Sequence, residues 1–513
     1  MPFPVPMRDS HLFAIKLLAL AACAACGVAH AQDAPPVGRA YLIEPSASIT
    51  ETFTDNNGLT TDKRSDLITQ ASVGLRASAN SARLRGFLDY SLSGLVYTNN
   101  TARNELRNAL NAFATASLVE NRVFVDIGGN ISQQGVSAFG QQTPDSAVAN
   151  PNRVEVSTFS LSPYVVGHLG SFADYEARLS YSATRSDSSV TSDSNTSAGR
   201  FRLGGKTALA VLGWSAQLTH TEIDYSLGRH TEDDLARGVL TWAVTPQFAV
   251  AAIGGTESNN YVSLDKQSHA VSGFSVNWKP SERTTLFAER ENRFFGESHA
   301  VTLTHRTART VWAYSDLRDI ASLPGQAALG SVGTAFDLFF QQFASVEPDP
   351  VLRRQLVNSF LQVNGISPSA QRLTAFQTSA VTLQRTQNLS FALLGIRDTL
   401  SFTASQSNSR RLDVVATVGD DFSSTEVIRQ RGLSVDLAHR LTPLSSVSLN
   451  ATYQRTTGSL DAQATSLKSL SAQWSNRLGR RTDFSLGARH AVFDSSTSPY
   501  DESAVYASLR LQF

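Results

Sequence analysis

The sequence predicts an all-β chain folded as a transmembrane antiparallel β-barrel of about 20–22 strands with a small α-helical insert. Three observations carry that expectation. Apolar and polar residues alternate with period two along almost the whole chain, the composition is poor in charge without being hydrophobic, and an export segment opens the sequence with no membrane helix after it.

The alternation is plainest at the end. From Ala504 to Phe513, the residues Val505, Ala507, Leu509, Leu511 and Phe513 share one face, while Ala504, Tyr506, Ser508, Arg510 and Gln512 share the other. Ten residues match the roughly 9–11 tilted residues that cross a bilayer as a strand. The stretch resembles the closing strand of bacterial outer-membrane barrels, in which a terminal Phe serves as an insertion signal, so Phe513 is the candidate signal here. The same pattern recurs upstream: Leu84, Leu88, Tyr90, Leu92 and Val96 alternate with Arg83, Arg85, Asp89, Ser91 and Ser93. Ala177, Leu179 and Tyr181 oppose Glu176, Arg178 and Ser180, and Phe201, Leu203 and Leu209 oppose Arg200, Arg202 and Lys206. Slipping any of these strands by one residue would put Arg or Lys in lipid, at about 2–4 kcal/mol each near the midplane.

Charged residues make up 17% of the chain, below the usual quarter of a soluble protein, yet mean hydropathy is −0.15. A barrel reconciles the two values, because one face of every strand needs no charge and the other stays polar. A net charge of zero excludes an electrostatic nucleic-acid binder. Arg8 and Lys16 precede the apolar run Leu17 to Val28, which ends in Ala29-His30-Ala31, so residues 1–31 read as a secretory signal cleaved before Gln32. Leu20-Ala21-Ala22-Cys23 is also readable as a lipoprotein box with a lipidated Cys23. Both cysteines, Cys23 and Cys26, lie in this segment, so cleavage leaves no disulfide and no cysteine chemistry. Residues 32–40 form a linker, and 41–513 the barrel.

Connections alternate in kind. Short ones carry Pro, Gly or charge and often follow an aromatic, as in Trp242 before Thr245-Pro246-Gln247, Trp278 before Lys279-Pro280-Ser281, Thr442-Pro443, and Trp474 before Leu478-Gly479-Arg480. Long polar ones lie between them: Thr54 to Arg64, Gly135 to Asn152, Ser186 to Thr196 and Asp413 to Thr425. Short periplasmic turns and long extracellular loops are the barrel pattern. Between 320 and 372 the period changes to that of helices, with Phe336, Phe339, Phe340 and Phe343 on one and Leu352, Leu356, Phe360 and Val363 on a second. Asp349 is the expected N-cap, Pro350 the first helical residue and Asn364-Gly365 the stop. A helix pair is not viable facing lipid within a barrel wall, so the insert belongs in the lumen, in the periplasm or outside. About 21 strands are countable, and an even number is expected. The odd count reflects either a miscount beside the insert or an insert threaded through the lumen as a plug. Threading requires that the strand near Val301–Tyr314 end in the periplasm and that near Val381–Leu394 begin outside.

Catalytic signatures are missing. The nearest approach to G-x-S-x-G, Gly135-Val136-Ser137-Ala138-Phe139, lacks its last glycine, and no H-E-x-x-H, P-loop or dinucleotide fingerprint occurs. No cofactor or metal is expected: His220, His230 and Glu232-Asp233-Asp234 read as a solvated loop region, and Asp55-Asn56-Asn57-Gly58 with Asp62 as an Asx-rich turn without calcium-loop spacing. The informative residues are those placed inward, Arg83, Arg85, Arg178, Arg200, Arg202, Lys206 and Arg510. They line a lumen too wide for side chains to fill, either as mere hydration of the wall or as a pore tuned for polar, anionic chains.

The segment Ile43-Glu44-Pro45-Ser46-Ala47-Ser48 leading to Thr54-Asp55-Asn56, the proline-turn hairpins, the insert around Pro348-Asp349-Pro350, and Val381-Thr382-Leu383-Gln384-Arg385 through Gly395-Ile396-Arg397-Asp398-Thr399-Leu400 are together similar to one group. The chain resembles the outer-membrane β-barrels of the PEP-CTERM/exosortase system, which are encoded with exopolysaccharide genes. That resemblance implies a Gram-negative outer-membrane, non-enzymatic role in exopolysaccharide export or surface assembly. The partners it implies are outer-membrane lipid and lipopolysaccharide, the barrel-insertion machinery, a polysaccharide chain and periplasmic export components. The first alternative is a general porin or small-solute channel, and the second an outer-membrane hydrolase or surface-structural β protein. A siderophore-type receptor is disfavoured, because few residues separate Gln32 from the first strand and an N-terminal plug has no room.

Overall fold

The computed structural model describes residues 40–513 except 100, 189–190, 208, 210, 322–334, 344–346, 348, 364–375, 414–419 and 461–462. The signal segment 1–31, Cys23, Cys26, the linker to residue 39 and the predicted stop Asn364-Gly365 lie outside the described residues.

Twenty-two strands form one antiparallel sheet closed on itself. They are β1 (Tyr41–Thr54), β2 (Asp66–Asn80), β3 (Leu84–Tyr97), β4 (Glu105–Val119), β5 (Val123–Gly135), β6 (Arg153–Leu169), β7 (Ala173–Ser186) and β8 (Ser194–Lys206). Next come β9 (Leu212–Tyr225), β10 (Thr231–Thr245), β11 (Phe248–Asn259), β12 (Gln267–Ser281), β13 (Thr284–Arg293), β14 (Gly296–Arg306) and β15 (Thr310–Ala321). After the insert follow β16 (Thr382–Leu394), β17 (Asp398–Arg411), β18 (Val427–Thr442), β19 (Ser445–Thr457), β20 (Thr465–Gly479), β21 (Thr482–Ser495) and β22 (Tyr500–Gln512). Each strand pairs with the next, and β22 pairs with β1 from Thr54↔Ala504 to Ser46↔Gln512. Closure removes every open edge, which is the condition for a sheet to stand in lipid.

The period-two pattern sets the faces. On β22, Val505, Leu509 and Leu511 are exposed on the outer wall, while Glu502 and Ala504 are buried on the inner one. Phe513 follows the strand, and its backbone N–H donates to the Pro45 carbonyl at 2.9 Å, so the terminal residue is held against β1. Trp242, Trp278, Trp312 and Trp474 are exposed near the short-turn rim, where an aromatic girdle belongs. Turns after even-numbered strands span two to five residues. Five of these hairpins carry a register shift beside the turn, such as that between Ala243 and Thr245, and a bulge there adds the twist a tight hairpin needs. Asn121 (φ 56°) and Gly170 (φ 59°) supply the left-handed residue in two of them.

The count is even, so both ends of the insert, 322–381, leave from the long-loop rim. This removes the parity argument for threading. Two helices are described within the insert, α1 (Ala335–Gln342) and α2 (Pro350–Val363), and they lie inside the barrel.

Candidate functional site

The insert enters at the long-loop rim and reaches the other end of the lumen. Its cap is local chemistry: Asp349 Oδ1 accepts from the Leu352 N–H at 3.1 Å, with Pro350 at the first helical position, as the sequence predicts. The two helices then bury a shared apolar face. Phe339, Val357 and Leu361 are fully buried against Val311 of β15, Ala392 of β16 and Ala438 of β18, all inward positions near the short turns. Phe360 packs between Phe339 and Phe343, with ring centroids at 4.9 and 5.2 Å. Gln342 Nε2 reaches the carbonyl of Thr307 in the β14–β15 turn at 3.5 Å.

The start of α2 touches a different wall. Asp349 accepts from Asn80 Nδ2 of β2 at 3.3 Å, and the Arg354 guanidinium lies 3.9 Å from the ring centroid of Phe87 on β3. In a ring of 22 strands, β2–β3 lies nine strands round from β15–β16 by the shorter way, so the two walls face one another across the lumen. The 14-residue α2, about 21 Å long at 1.5 Å per residue, is therefore a strut across the lumen.

The long-loop rim is covered as well. Residues 136–152, joining β5 and β6, fold over the mouth and place Ala147 and Val148 in an apolar cluster with Leu59, Ile68, Leu95, Tyr97, Phe493 and Tyr500. Tyr97 donates to the Ala147 carbonyl at 2.9 Å. Arg489 of β21 bridges Asp145 of this loop to Glu502 of β22, bonding Glu502 at 2.9 and 3.1 Å. Burial is the largest single influence on the Asp145 carboxyl and pushes its pKa up, but the Arg489 guanidinium, the Ala147 N–H and Arg153 together outweigh it and hold the pKa below its ordinary value. Further round, Asp421 of the β17–β18 connection accepts from Ser137 Oγ and the Ala138 N–H, both at 2.7 Å. Asp420 accepts from Thr378 Oγ1 and the Ser379 N–H in the returning arm of the insert, at 2.6 and 2.9 Å. Loops and insert thus form one hydrogen-bonded cover.

Between cover and strut the wall is polar. Arg178 is the best anchored of the residues the alternation turns inward: it donates to Asp126 at 2.6 Å and Glu176 at 3.1 Å, and its guanidinium stacks 3.9 Å over Tyr164. Arg200 stands opposite Arg178 in the β7–β8 ladder, and Arg202 donates to Gln217 at 3.1 Å. Lys206 ends β8, exposed. Arg85 is exposed two residues before Phe87 on the same face, and Arg83 sits in the β2–β3 turn. Arg510 faces Asp483 in the β21–β22 ladder. The seven do not converge; β7–β8 carry four as a stripe, and the others lie at the β3 rim and on β22.

Two inward constellations escape the sequence reading. Arg237 of β10 reaches Glu289 and Glu291 of β13 at 2.6 and 2.5 Å, and Arg293 reaches Glu257 of β11 at 2.6 Å and Asp319 of β15 at 3.1 Å. On β17, Ser401, Thr403, Ser405, Ser407 and Ser409 form a buried hydroxyl ladder facing inward. Both are alternations legible in the chain, Glu289-x-Glu291-x-Arg293 and Ser401 to Ser409, but only the ring shows what they meet.

The two histidines weighed as ligands are hydrogen-bonded to carboxylates. His220 bonds Asp234 and Glu222 at 2.6 and 3.0 Å, and His230 bonds Asp224 and Glu232 at 2.7 and 3.1 Å. Among the described residues no group of three or more His, Asp or Glu is arranged to hold a metal. Asn56 closes its own turn with Thr60, accepting from its N–H at 3.1 Å, and Lys63 bonds Asp55 at 2.9 Å, so that loop uses its oxygens internally. Asp224 first, and Glu232 with it, raise the pKa of His230, which lies in the β9–β10 connection. A raised folded-state value means that the pairing stabilises this tip fully below the ordinary histidine value of about 6.5 and is lost as pH climbs through the raised value. Amide exchange at 226–231 is expected to quicken on that climb, and His230→Gln to flatten the profile. A wild-type profile without a step would refute the assignment.

No family model matches the chain, and no curated protein matches it. Solved structures do. The FrpB iron transporter of Neisseria meningitidis aligns at a TM-score of 0.49 and 10% identity over 92% of this chain and 81% of that one. The ferric enterobactin receptor PfeA of Pseudomonas aeruginosa aligns at 0.47 and 10% over 92% and 80%. Fiu, a ferric-catecholate import receptor of E. coli, aligns at 0.47 and 8% over 93% and 82%. The likeness is one of fold, a large barrel of the outer membrane, and the outer membrane is where this chain resides.

The expected function is corrected here. Exopolysaccharide export or surface assembly does not stand, nor do its alternatives, a general porin or small-solute channel and a hydrolase or surface-structural β protein: the three barrels named above are an iron transporter and receptors for ferric enterobactin and ferric catecholate, and a strut crosses this lumen where a polysaccharide or a porin's solutes would pass. The lumen is crossed by the insert between β15 and β16, one of the placements the helical period leaves open.

Proposed function

We propose that this protein is a gated outer-membrane transporter of the receptor type, in which the β15–β16 insert is the gate. The observation that carries the reading is the strut, α2 running from β2–β3 to the wall of β15, β16 and β18. A gate built from a chain segment tethered at both ends opens by displacement and recloses, which suits cargo taken up in discrete events. Paired charges such as Arg178 with Asp126, and the β17 hydroxyls, offer a polar path on which Arg83, Arg85, Arg200, Arg202, Lys206 and Arg510 are the proposed lumen-lining charges. Iron, ferric enterobactin and ferric catecholates, for which the barrels above are named, head the panel for uptake. In planar bilayers the purified protein is expected to carry almost no steady current. Continuous ohmic conductance from the intact chain would remove the proposal.

Phe513 keeps its proposed part as insertion signal. Removing it is expected to reduce the heat-modifiable, folded form in outer membranes several-fold while leaving the melting of assembled barrels unchanged. Normal assembly of the truncated chain would count against that part.

A further inference from the structure

The lipid-facing wall carries arginines at one height. On β15 to β19, outward positions from the short turns up to mid-wall and a little beyond are apolar, as at Leu437, Leu389, Leu433 and Tyr453. Moving along the same faces toward the long-loop rim, the character changes abruptly. Arg318, Arg385, Asn408 and Arg429 stand side by side in register, Arg431 and Arg455 are paired one step nearer the apolar band, and Arg410 lies just above. Arg385, Arg410, Arg429, Arg431 and Arg455 are exposed. Two acids approach this row: Asp316, which holds Arg385 at 2.6 Å and His299 at 3.1 Å, and Glu297, whose side chain bonds Arg290 at 2.8 Å and whose backbone carbonyl takes Arg318 Nη1 at 2.8 Å. Arg410, Arg429, Arg431 and Arg455 have no carboxylate within 4 Å among the described residues.

The wall at β9–β12 shows that this is not general. At the same rim it presents His220, Glu222, Asp234, His230 and Glu232, cross-linked with Lys266 into a self-neutralised lattice. Arg410, Arg429, Arg431 and Arg455 have no such internal answer, and they stand where the apolar band ends and headgroups begin.

We propose that this belt binds the phosphate groups of the outer-leaflet glycolipid. A guanidinium presents a planar fork that meets phosphate through two parallel hydrogen bonds, and it is weakly hydrated, so it suits a site beside acyl chains. Arg385 and Arg429 are two strands apart, about 10 Å at the usual strand spacing, so adjacent arginines can hold two phosphates of one headgroup together. The apolar rows beneath take the acyl chains of the same molecule.

The test is native mass spectrometry of the full-length barrel in micelles, with the variant Arg410→Gln/Arg429→Gln/Arg431→Gln/Arg455→Gln and three probes: diphosphorylated lipid A, dephosphorylated lipid A and inorganic phosphate. The wild type is expected to retain diphosphorylated lipid A, the variant to retain it at least about ten-fold less, and dephosphorylated lipid A to be lost from both. Heat-modifiable mobility establishes that the variant is folded; should it not fold, the pair Arg429→Gln/Arg431→Gln is expected to weaken retention in the same probe-specific way. Equal retention by folded variant and wild type overturns the proposal, as does equal retention of the dephosphorylated lipid. Inorganic phosphate held without preference for lipid A overturns the lipid source in favour of a free anion. A barrel dimer that the substitutions dissociate, with lipid A binding unchanged, overturns it in favour of an interface between copies.

Discussion

Replacing residues 322–381 with a short glycine–serine turn is expected to convert an almost silent protein into an open pore, with steady current in planar bilayers roughly ten-fold or more above wild type. The reasoning is structural and separable from folding. The wall holds itself through its 22 strand ladders, so removing the insert takes away no strand pairing. It uncovers Val311, Ala392 and Ala438 to lumen water and takes from the cover the returning arm with Phe376, Thr378 and Ser379, which leaves the rest of the cover on Arg489 and the cluster around Leu59. A milder variant asks the same question of one end of the strut. Asp349→Ala with Arg354→Ala frees α2 from Asn80 and Phe87 and leaves the Phe339–Phe360 cluster intact, so brief openings rather than a standing current are expected. Deletion without any gain of current would mean that the cover alone closes the barrel, and the insert would lose its role as gate.

The second large effect belongs to the cover. Arg489→Ala is expected to cost about 3–5 kcal/mol of local stability, because it strands two carboxylates rather than merely deleting a bond. The Glu502 side chain is 0% exposed and that of Arg489 7%, and Thr54 Oγ1 already donates to Glu502 at 2.7 Å, so no water is at hand to replace the guanidinium. Loop 136–152 should then become a site of protease nicking, and its amides should exchange much faster than in wild type. Arg489→Ala combined with Glu502→Gln should recover part of the loss, as the charge stranded on β22 is gone. A loop that stays protected in the single variant would show that the apolar cluster around Leu59 and Val148 holds the cover unaided.

Much of the wall is legible in the sequence, because alternation is a local property and lipid enforces it strand by strand. Leu179, Phe201, Val505 and Leu511 face outward as their period requires, and the girdle tryptophans sit where their turns put them. The helices and the Asp349 cap are local too. What the sequence hides is everything made by closing the ring. No spacing relates Arg237 to Glu289, Asp145 to Arg489, or Arg354 to Phe87, since each pair meets only across strands or across the lumen. The insert's destination was lost for the same reason: its period announces helices, while the apolar floor that receives it is spread over β15, β16 and β18 as Val311, Ala392 and Ala438. The arginine belt is not legible from alternation alone, because alternation assigns charge to the inner face, whereas above the apolar band the outer face no longer forbids it.

The strut has a mechanical side. Chain ends meet at the β1–β22 seam, which has nine paired residues against fourteen between β1 and β2, so it is one of the shorter joints of the hoop. The shorter arc from β18 round to β2 contains that seam, and α2 is the chord subtending it. Lateral stretch of the bilayer, which would pry the seam apart, must first lengthen a hydrogen-bonded helix or tear its end from Asn80. On the proposed gating a single segment is both bolt and tie-rod, and its withdrawal would leave the hoop at its most pliable during passage.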